Sequence, residues 1–267
     1  MPENLNRPIR VIMFGGGPEL THDAKEFLFR LDMHPEIELL GAICQAESQS
    51  WKAIFKDLWQ RRGWLAFPLF ISRALVGLIR YLEHPKKERA LGRKLAELSD
   101  CIHNVKDVHA QEVKDLVRSL EPDLGLIYGS PILKPELFEI PVCGTLGIHH
   151  GKVPAYRGNK TTFWAMYNGE RSAGVTIQKI NAGLDTGSIV KEGEVPIGRR
   201  SYQTVWRDLE ALGLDLYIQA ILEVKNGTAT YRPQTGKKGK LYRNPKLKDF
   251  VTFWIRQTKG RVRKESN

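Results

Sequence analysis

Short apolar runs alternate with helix-like segments along much of this chain, and this alternation limits its possible folds more than any other feature. The runs, rich in β-branched residues, lie at 9–14, 37–44, 101–105, 123–129 and 144–150. Between them, stretches such as 109–120 carry apolar residues at helical spacing. Strands that alternate with helices form a parallel sheet covered on both faces. We therefore predict an α/β fold built on a mostly parallel, twisted sheet.

Residues 50–99 interrupt the alternation and predict a helical insert. The stretch at 64–84 is strongly apolar, but Arg73 and Arg80 make it too broken for a membrane span. Such a helix either packs inside the protein or a dimer interface, or lies flat on a membrane with its arginines at the lipid headgroups. The charged stretch at 84–98 predicts a surface helix.

Positive charge is concentrated at the carboxyl-terminal end. The formal net charge is +11, and from Asn226 onward there are twelve Lys/Arg against two Asp/Glu. A basic tail can attract nucleic acid, anionic lipid or phosphorylated small molecules, or it can be a solvated end.

The cysteines and the amino terminus bear on localisation. Three cysteines are scattered without a CxxC pair, which predicts reduced thiols, a cytoplasmic protein and no metal site. The first ten residues hold no apolar run, so we expect no secretory signal.

Two glycine-containing segments follow predicted strands, where open parallel sheets bind their ligands. "GGGPEL" comes after the first strand but is not GxGxxG, so we predict a tight turn near the cleft rather than a dinucleotide site. "GIHHG" ends a later strand, with Gly147 and His149 on one face and Ile148 and His150 on the other. His149 is therefore expected at the mouth of the sheet, in either a structural or a catalytic role.

A second segment gives His149 a partner. In "NAGLDTG", Gly183 and Gly187 bracket Asp185 and allow a tight loop. A carboxylate on this loop can reach the imidazole, fix its tautomer and raise its basicity. Because no Ser or Cys occupies a nucleophile motif nearby, this pair predicts direct acyl transfer to an amine with proton removal by the histidine.

Several motifs follow one another in order between 121 and 190. They are a Pro-Asp-led strand, the histidine strand end, a P-x-Y-R-G turn, an Asn-Gly, a G-V-T strand and L-D-T-G. This set resembles the 10-formyltetrahydrofolate-dependent formyltransferase family, nearest to the sugar N-formyltransferase and methionyl-tRNA formyltransferase branch. The resemblance implies a Rossmann-like fold, a catalytic domain at 8–198 that includes the insert, and a carboxyl-terminal helix and short basic extension at 199–267.

The resemblance also implies the reaction. A formyl group would pass from the co-substrate 10-formyltetrahydrofolate to a primary amine, with His149 and Asp185 as the catalytic residues. The family's third catalytic residue, an asparagine that donates to the formyl oxygen, falls on Gly147. Either another donor replaces it, or the chain is a catalytically altered binding or membrane-associated interaction protein. The candidate donors are His150, Asn159, Lys160 and a backbone N–H near Gly151.

Binding residues are implied in the same way. The folate is expected to contact Gly129, Ser130, Ile132, Leu133, Gly183, Leu184 and Asp185. The acceptor is expected to contact Gly15, Gly16, His150, Tyr156, Arg157, Gly158 and Asn159. A neighbouring carboxylate could alternatively hold Arg157, and Trp164 and Tyr167 are either core residues or a substrate platform. Pro131 lacks an N–H, so the folate contacts of its loop are expected to differ in detail.

The ending of the chain bears on the acceptor. Residues 228–254 are too few for the basic barrel of the methionyl-tRNA branch and resemble the short ending of the sugar branch. We expect a small sugar or phosphorylated amine, such as a nucleotide-linked sugar, with phosphates attracted by Lys237, Lys238, Lys240 or Arg243. A nucleic-acid acceptor is disfavoured. A homodimer and a peripheral contact with the inner face of the membrane through 64–84 remain open.

Overall fold

The computed structural model describes residues 6–16, 21–45, 63–65, 85–236 and 239–262, and the single positions 59, 67, 71, 75 and 82. The strands in these residues are β1 (Ile9–Gly16), β2 (Ile37–Gln45), β3 (Ile102–Val105), β4 (Leu124–Tyr128), β5 (Thr145–His149), β6 (Arg157–Gly158), β7 (Ser172–Lys179), β8 (Ser188–Pro196) and β9 (Leu241–Tyr242). The helices are α1 (His22–Asp32), α2 (Pro85–Glu97), α3 (Gln111–Leu120), α4 (Pro135–Phe138), α5 (Thr161–Asn168), α6 (Tyr202–Lys225) and α7 (Leu247–Val262).

Seven strands form one sheet in the order β3-β2-β1-β4-β5-β7-β8, and β6 and β9 form a small second sheet. The pairs β2/β3 and β4/β5 are parallel. The pairs β5/β7 and β7/β8 are antiparallel. The prediction of an α/β fold on a mostly parallel sheet is confirmed, and the predicted strands agree with the observed ones to within two residues at each end.

The chain divides into two compact units. The first comprises residues 1–9, 123–127 and 134–267, and the second comprises residues 10–122 and 128–133. The boundary predicted at 198/199 lies inside the first unit, because α6 packs against β7 and β8.

In the first unit, α6 is the central packing element. Val205 and Leu209 of α6 are fully buried and belong to one apolar cluster with Val175 of β7 and Val195 of β8. The Tyr217 hydroxyl accepts from the Ile127 N–H at 3.0 Å and donates to the Leu146 carbonyl at 2.8 Å. This buried hydroxyl connects α6 to β4 and β5, and β5 is the strand that ends at His149.

In the second unit, the ends of the elements are fixed by polar contacts. The Thr21 side chain caps α1 by accepting from the Ala24 N–H. Lys94 of α2 forms a 2.8 Å ion pair with Asp32 at the end of α1. The helix α2 matches the predicted charged helix at 84–98.

Much of the predicted insert lies outside the described residues, including Arg73, Gly77, Arg80 and His84. The described positions 67, 71, 75 and 82 are helical. No helix in the described part of the chain combines the length and the hydropathy that crossing a bilayer requires.

Within the first unit, the carboxyl-terminal segment packs against the turn that follows β5. There, β9 pairs in parallel with β6, so that Gly158 lies opposite Tyr242. The Trp164 indole N–H donates to the Arg243 carbonyl at 2.8 Å, and its ring stacks on that of Tyr242. Arg256 of α7 lies over the Tyr167 ring. Trp164 and Tyr167 therefore serve as packing residues, the first of the two predicted alternatives.

Candidate active site

His149 ends β5 and is almost completely buried, with 8% of its surface exposed. Its Nε2 lies 2.8 Å from the Tyr156 carbonyl oxygen, which can only accept, so Nε2 carries the proton. The other ring nitrogen, Nδ1, lies 3.4 Å from Oδ1 of Asp185. The carbonyl thus fixes the tautomer and leaves the basic nitrogen facing the carboxylate.

The loop between β7 and β8 brings Asp185 to this position. Asn181 organises the loop, because its Oδ1 accepts from the Gly183 N–H at 3.0 Å and from the Thr186 hydroxyl at 2.7 Å. Asp185 has a φ of 50°, in the left-handed region. At Gly187, a Cβ would lie 2.0 Å from the Lys179 carbonyl oxygen, so only glycine fits there. The predicted tight loop is therefore present.

Further contacts orient the Asp185 carboxylate. Its Oδ2 accepts from the Gly158 backbone N–H at 2.7 Å. Its Oδ1, which faces His149, also lies 3.4 Å from Nε2 of Gln178. The Gln234 side chain donates to the backbone carbonyls of Asp185, at 3.0 Å, and of Gly187, at 2.8 Å. The prediction that His149 and Asp185 come together across 36 positions of sequence agrees with this geometry.

His149 differs from the prediction in two respects: the Tyr156 carbonyl, rather than the Asp185 carboxylate, fixes its tautomer, and the net shift of its pKa is downward. Burial lowers the pKa of His149 and outweighs the opposing effects of the Asp185 carboxylate and the Tyr156 carbonyl. We expected the carboxylate to raise the basicity of the ring, and it does so, but the net direction of the pKa shift is downward. The imidazole is consequently neutral at neutral pH, which is the state that a proton acceptor needs.

His150 lies on the opposite face of β5, as the strand alternation predicts. Its Nε2 is 2.6 Å from Oε2 of Glu210 on α6, although the two buried atoms are not aligned as a hydrogen bond. Its ring contacts Trp206, with centroids 4.5 Å apart. The predicted roles of His150 in acceptor binding and as a replacement donor would require its side chain on the other face.

Tyr156 and Arg157 contribute in ways that the sequence did not indicate. The Tyr156 side chain is buried, with its hydroxyl donating to Glu170 at 2.7 Å, so its contribution at His149 is its backbone carbonyl. Arg157 donates to the Leu184 carbonyl rather than to a carboxylate, which corrects our alternative for this residue. Tyr156 thus positions the His149 ring, and Arg157 contacts the loop that carries Asp185.

The other predicted contacts of the first unit lie around the same turn. Gly158 holds Asp185 through its N–H, and the exposed Asn159 donates its backbone N–H to the Tyr242 carbonyl at 2.9 Å. Lys160 is exposed at the start of α5. Lys240 and Arg243 are also exposed, whereas Lys237 and Lys238 lie outside the described residues. Their predicted contacts with an acceptor or its phosphates stay predictions.

The remaining predicted contacts belong to the second unit. A Cβ on Gly16 would lie 2.6 Å from the Gly129 carbonyl oxygen, so the backbone closely approaches the segment after β4. In that segment the Ser130 hydroxyl donates to the Pro131 carbonyl, Ile132 is exposed and Leu133 is buried. Gly15 and Gly16 end β1, while the residues 17–20 that follow lie outside the described part. The folate and acceptor contacts assigned to these residues stay predictions.

Two glutamines of the site were missed by the sequence analysis. Gln178 is a buried polar residue in β7, and Gln234 lies beyond α6. A polar residue within the apolar run "GVTIQKI" was the available signal for Gln178. No local pattern could have indicated Gln234, because its contacts are 47 and 49 positions away in sequence.

The three cysteines are buried or half-buried thiols. Cys44 and Cys143 are buried, and burial raises the pKa of the Cys44 thiol to about 11. Across the residues that the structure describes, no group of three or more His, Cys, Asp or Glu is placed to hold a metal ion.

The fold and this pair define an α/β protein with a histidine–carboxylate site at the end of a sheet strand. A family model described as formyl transferase matches residues 82–221, more than half of the chain. The chain belongs to the formyl transferase family. The match covers His149, Asp185 and Gln178, and it ends within α6.

The sequence is similar to several methionyl-tRNA formyltransferases. It is 37% identical to that of Thermodesulfovibrio yellowstonii over 124 residues, which are 45% of this chain and 40% of the relative. It is 35% identical to that of Alkaliphilus metalliredigens over 147 residues, which are 54% of this chain and 45% of the relative. The chain thus spans less than half the length of these relatives.

Solved structures share the fold at low sequence identity. The glycinamide ribonucleotide transformylase 1 of Symbiobacterium toebii has a TM-score of 0.57 at 16% identity, covering 86% of this chain and 96% of that one. A sugar N-formyltransferase of a Shewanella species has a TM-score of 0.58 at 14% identity, covering 92% of this chain and 86% of that one. These comparisons support the Rossmann-like formyltransferase fold implied by the sequence.

Proposed function

We propose that this chain transfers a formyl group from 10-formyltetrahydrofolate to a primary amine. The observation that carries the proposal is the buried pair in which Nδ1 of His149 faces Oδ1 of Asp185 while its Nε2–H is held by the Tyr156 carbonyl. An amine that attacks a formyl carbon must lose a proton, and a neutral, oriented imidazole can accept it.

In the proposed reaction, His149 both accepts and returns the proton. As the amine nitrogen bonds to the formyl carbon, Nδ1 takes the proton, and Asp185 stabilises the resulting imidazolium across 3.4 Å. When the bond between the formyl carbon and the folate nitrogen breaks, the imidazolium returns the proton to that nitrogen. The products are the formylated amine and tetrahydrofolate, and no covalent enzyme intermediate is needed.

The charge beside the site supports a proposal for the acceptor class. The exposed Lys240 and Arg243 flank Tyr242, next to the turn that holds Asp185, and could attract the phosphates of a small amine. We favour a sugar or phosphorylated amine, such as a nucleotide-linked sugar. Methionyl-tRNA is the second candidate because the similar curated proteins act, by their names, on that acceptor.

The test is a rate measurement with 10-formyltetrahydrofolate and three acceptors: a nucleotide-linked amino sugar, glycinamide ribonucleotide and methionyl-tRNA. Formation of tetrahydrofolate and of the formylated amine is followed together. His149→Ala and Asp185→Asn should each reduce the rate by about 10²–10⁴-fold, the range for removing a general acid or base.

Asp115→Asn is the matched control, because it makes the same change on an exposed position of α3 and should leave the rate unaltered. A wild-type protein that forms no tetrahydrofolate with any of the three amines contradicts the proposal. So does full activity in the Asp185 variant. Binding to anionic vesicles without turnover would instead favour the interaction-protein alternative.

A further inference from the structure

Gly147 lies on the same face of β5 as His149 and has no side chain. The neighbouring strand β7 places the amide of Gln178 on this face. The register of β5 against β7 pairs Gly147 with Gln178 and His149 with Thr176. Side chains of directly opposed residues in an antiparallel pair share one face of the sheet. Gln178 therefore lies on the face of β5 that carries His149, beside the place where Gly147 leaves no side chain.

The amide of Gln178 is buried and oriented. Only 5% of the residue is exposed. Its Oε1 lies 3.4 Å from the Gln234 side-chain nitrogen, which can donate to it, and its Nε2 lies 3.4 Å from Oδ1 of Asp185. The nitrogen of the amide is thus directed toward the atom that His149 also faces. A primary amide nitrogen carries two N–H groups, so a contact with Asp185 leaves capacity for a second acceptor.

The reaction under the proposed function creates a need for such a donor. Attack on a formyl carbon moves negative charge onto its oxygen, and a pre-oriented donor in a water-poor site lowers the barrier at that point. The donors first considered are less suited to this role. His150 contacts Glu210 on the other face of β5, and Asn159 and Lys160 are exposed.

We propose that Gln178 is a catalytic residue that donates a hydrogen bond from Nε2 to the formyl oxygen. Gly147, which has no side chain, cannot donate this hydrogen bond from a side-chain amide. This inference rests on the proposed formyl transfer. In this proposal the buried Gln178 amide contacts the formyl oxygen. His149 accepts and returns the proton of the amine, and Asp185 stabilises the imidazolium.

The central test is Gln178→Met, which keeps the length of the side chain and removes the N–H donor. The kcat of tetrahydrofolate formation should fall about 10²–10³-fold, the usual loss for one such donor. The Kd for tetrahydrofolate, measured by calorimetry, should stay within about threefold, because the product lacks the formyl oxygen. Gln203→Met on the exposed face of α6 is the matched control and should be silent.

A second measurement separates this role from a positioning role through Asp185. If Gln178 only orients the carboxylate, Gln178→Met will shift the acid limb of the pH–rate profile and the NMR titration of His149. A direct donor role predicts that kcat measured at the pH optimum of each protein still falls about 10²–10³-fold, a loss that a shift of these two titrations does not explain. Should the Met variant fail to fold, Gln178→Leu removes the N–H donor with a smaller apolar side chain and should show the same loss of kcat.

A rescue adds an independent result. Gly147→Asn places an amide on the same face, and Ile180→Ala gives it room, because a Cβ at 147 would lie 3.1 Å from Cγ2 of Ile180, an atom that alanine lacks. Combined with Gln178→Met, these changes should recover at least about tenfold of the lost rate, a partial return of the donor effect. If the wild-type protein is active and Gln178→Met is equally active, the donor role is overturned and the proposed function is not. If the wild-type protein shows no turnover, the proposed function and this inference are overturned together.

Discussion

The Gly158 backbone N–H donates to Oδ2 of Asp185 over 2.7 Å, and this bond leaves Oδ1 of the same carboxylate facing the His149 ring. A backbone donor cannot rotate away as a side chain can. The carboxylate is therefore oriented by the fold itself, through β6. The consequences of this arrangement can be tested at several positions.

Gly151 is required for the hydrogen bond that fixes the His149 tautomer. A Cβ there would lie 2.5 Å from Nε2 of His149 and 2.5 Å from the Tyr156 carbonyl oxygen. Gly151→Ala should lower the free energy of unfolding by about 1–3 kcal/mol, as overpacking does, and reduce turnover as the ring is displaced. Chemical denaturation and initial rates measure the two effects.

Gly92→Ala serves as the control for Gly151→Ala. A Cβ at this exposed position of α2 meets no atom within 4 Å, so alanine should stabilise the protein by about 0.5–1 kcal/mol through its helix propensity. Equal stability changes of the same sign at the two positions would contradict the packing assigned to Gly151.

The stability of the protein should fall on acidification partly because of His149. Its pKa in the folded protein lies below the ordinary value of 6.5. As the pH falls through 6.5, the unfolded chain binds a proton at this ring before the folded chain does, so the free energy of unfolding decreases. His149→Gln should flatten this dependence by up to about 1.4 kcal/mol per pH unit. Denaturation series from pH 7.5 to 5 measure it, and identical slopes in both proteins would rule out the burial effect.

Gln234 should control the order of the Asp185 loop. Its side chain donates to two loop carbonyls, and Gln234→Leu removes both bonds. We expect faster amide hydrogen exchange in residues 181–187 and a reduced rate, with stability lowered by about 1–3 kcal/mol if the carbonyls stay buried. Gln111→Leu, on the surface of α3, is the comparison. Unchanged amide hydrogen exchange in residues 181–187 would show that the two hydrogen bonds from Gln234 do not order the loop.

Tyr217→Phe should destabilise the first unit without altering its shape. The hydroxyl is fully buried and bonds to Ile127 and Leu146, so its removal leaves backbone groups of β4 and β5 without this partner. The expected cost is about 1–3 kcal/mol in the free energy of unfolding, with an unchanged denaturant m value. A cost near zero would indicate that water replaces the hydroxyl.

The sequence predicted those parts of the site that local patterns encode. Alternation along β5 separated His149 from His150, and the glycines around Asp185 indicated a loop. The ordered motifs then implied which loop meets which strand. By contrast, two features depend on contacts between distant segments, which one sequence does not reveal. They are the hydrogen bonds from Gln234 to the Asp185 loop and the register that pairs Gly147 with Gln178.

The direction of the His149 pKa shift shows a second limit of sequence reasoning. A neighbouring carboxylate raises the pKa of an imidazole, and that effect could be anticipated from Asp185. The opposing effect of burial depends on how much protein surrounds the ring, which only the folded structure provides. Similarly, Tyr156 resembled a substrate contact in sequence, but its side chain is packed in the core.

The pairing of β6 with β9 links the carboxyl-terminal extension to the His149–Asp185 pair. Gly158, which holds the Asp185 carboxylate, lies opposite Tyr242, and a Cβ on Gly158 would lie 2.2 Å from the Tyr242 carbonyl oxygen. Replacement or loss of β9 would therefore reach the His149–Asp185 pair through the backbone of β6. Under the proposed function, a tail that adapts the protein to another acceptor must keep this strand, which restricts how freely the sequence of the tail can diverge.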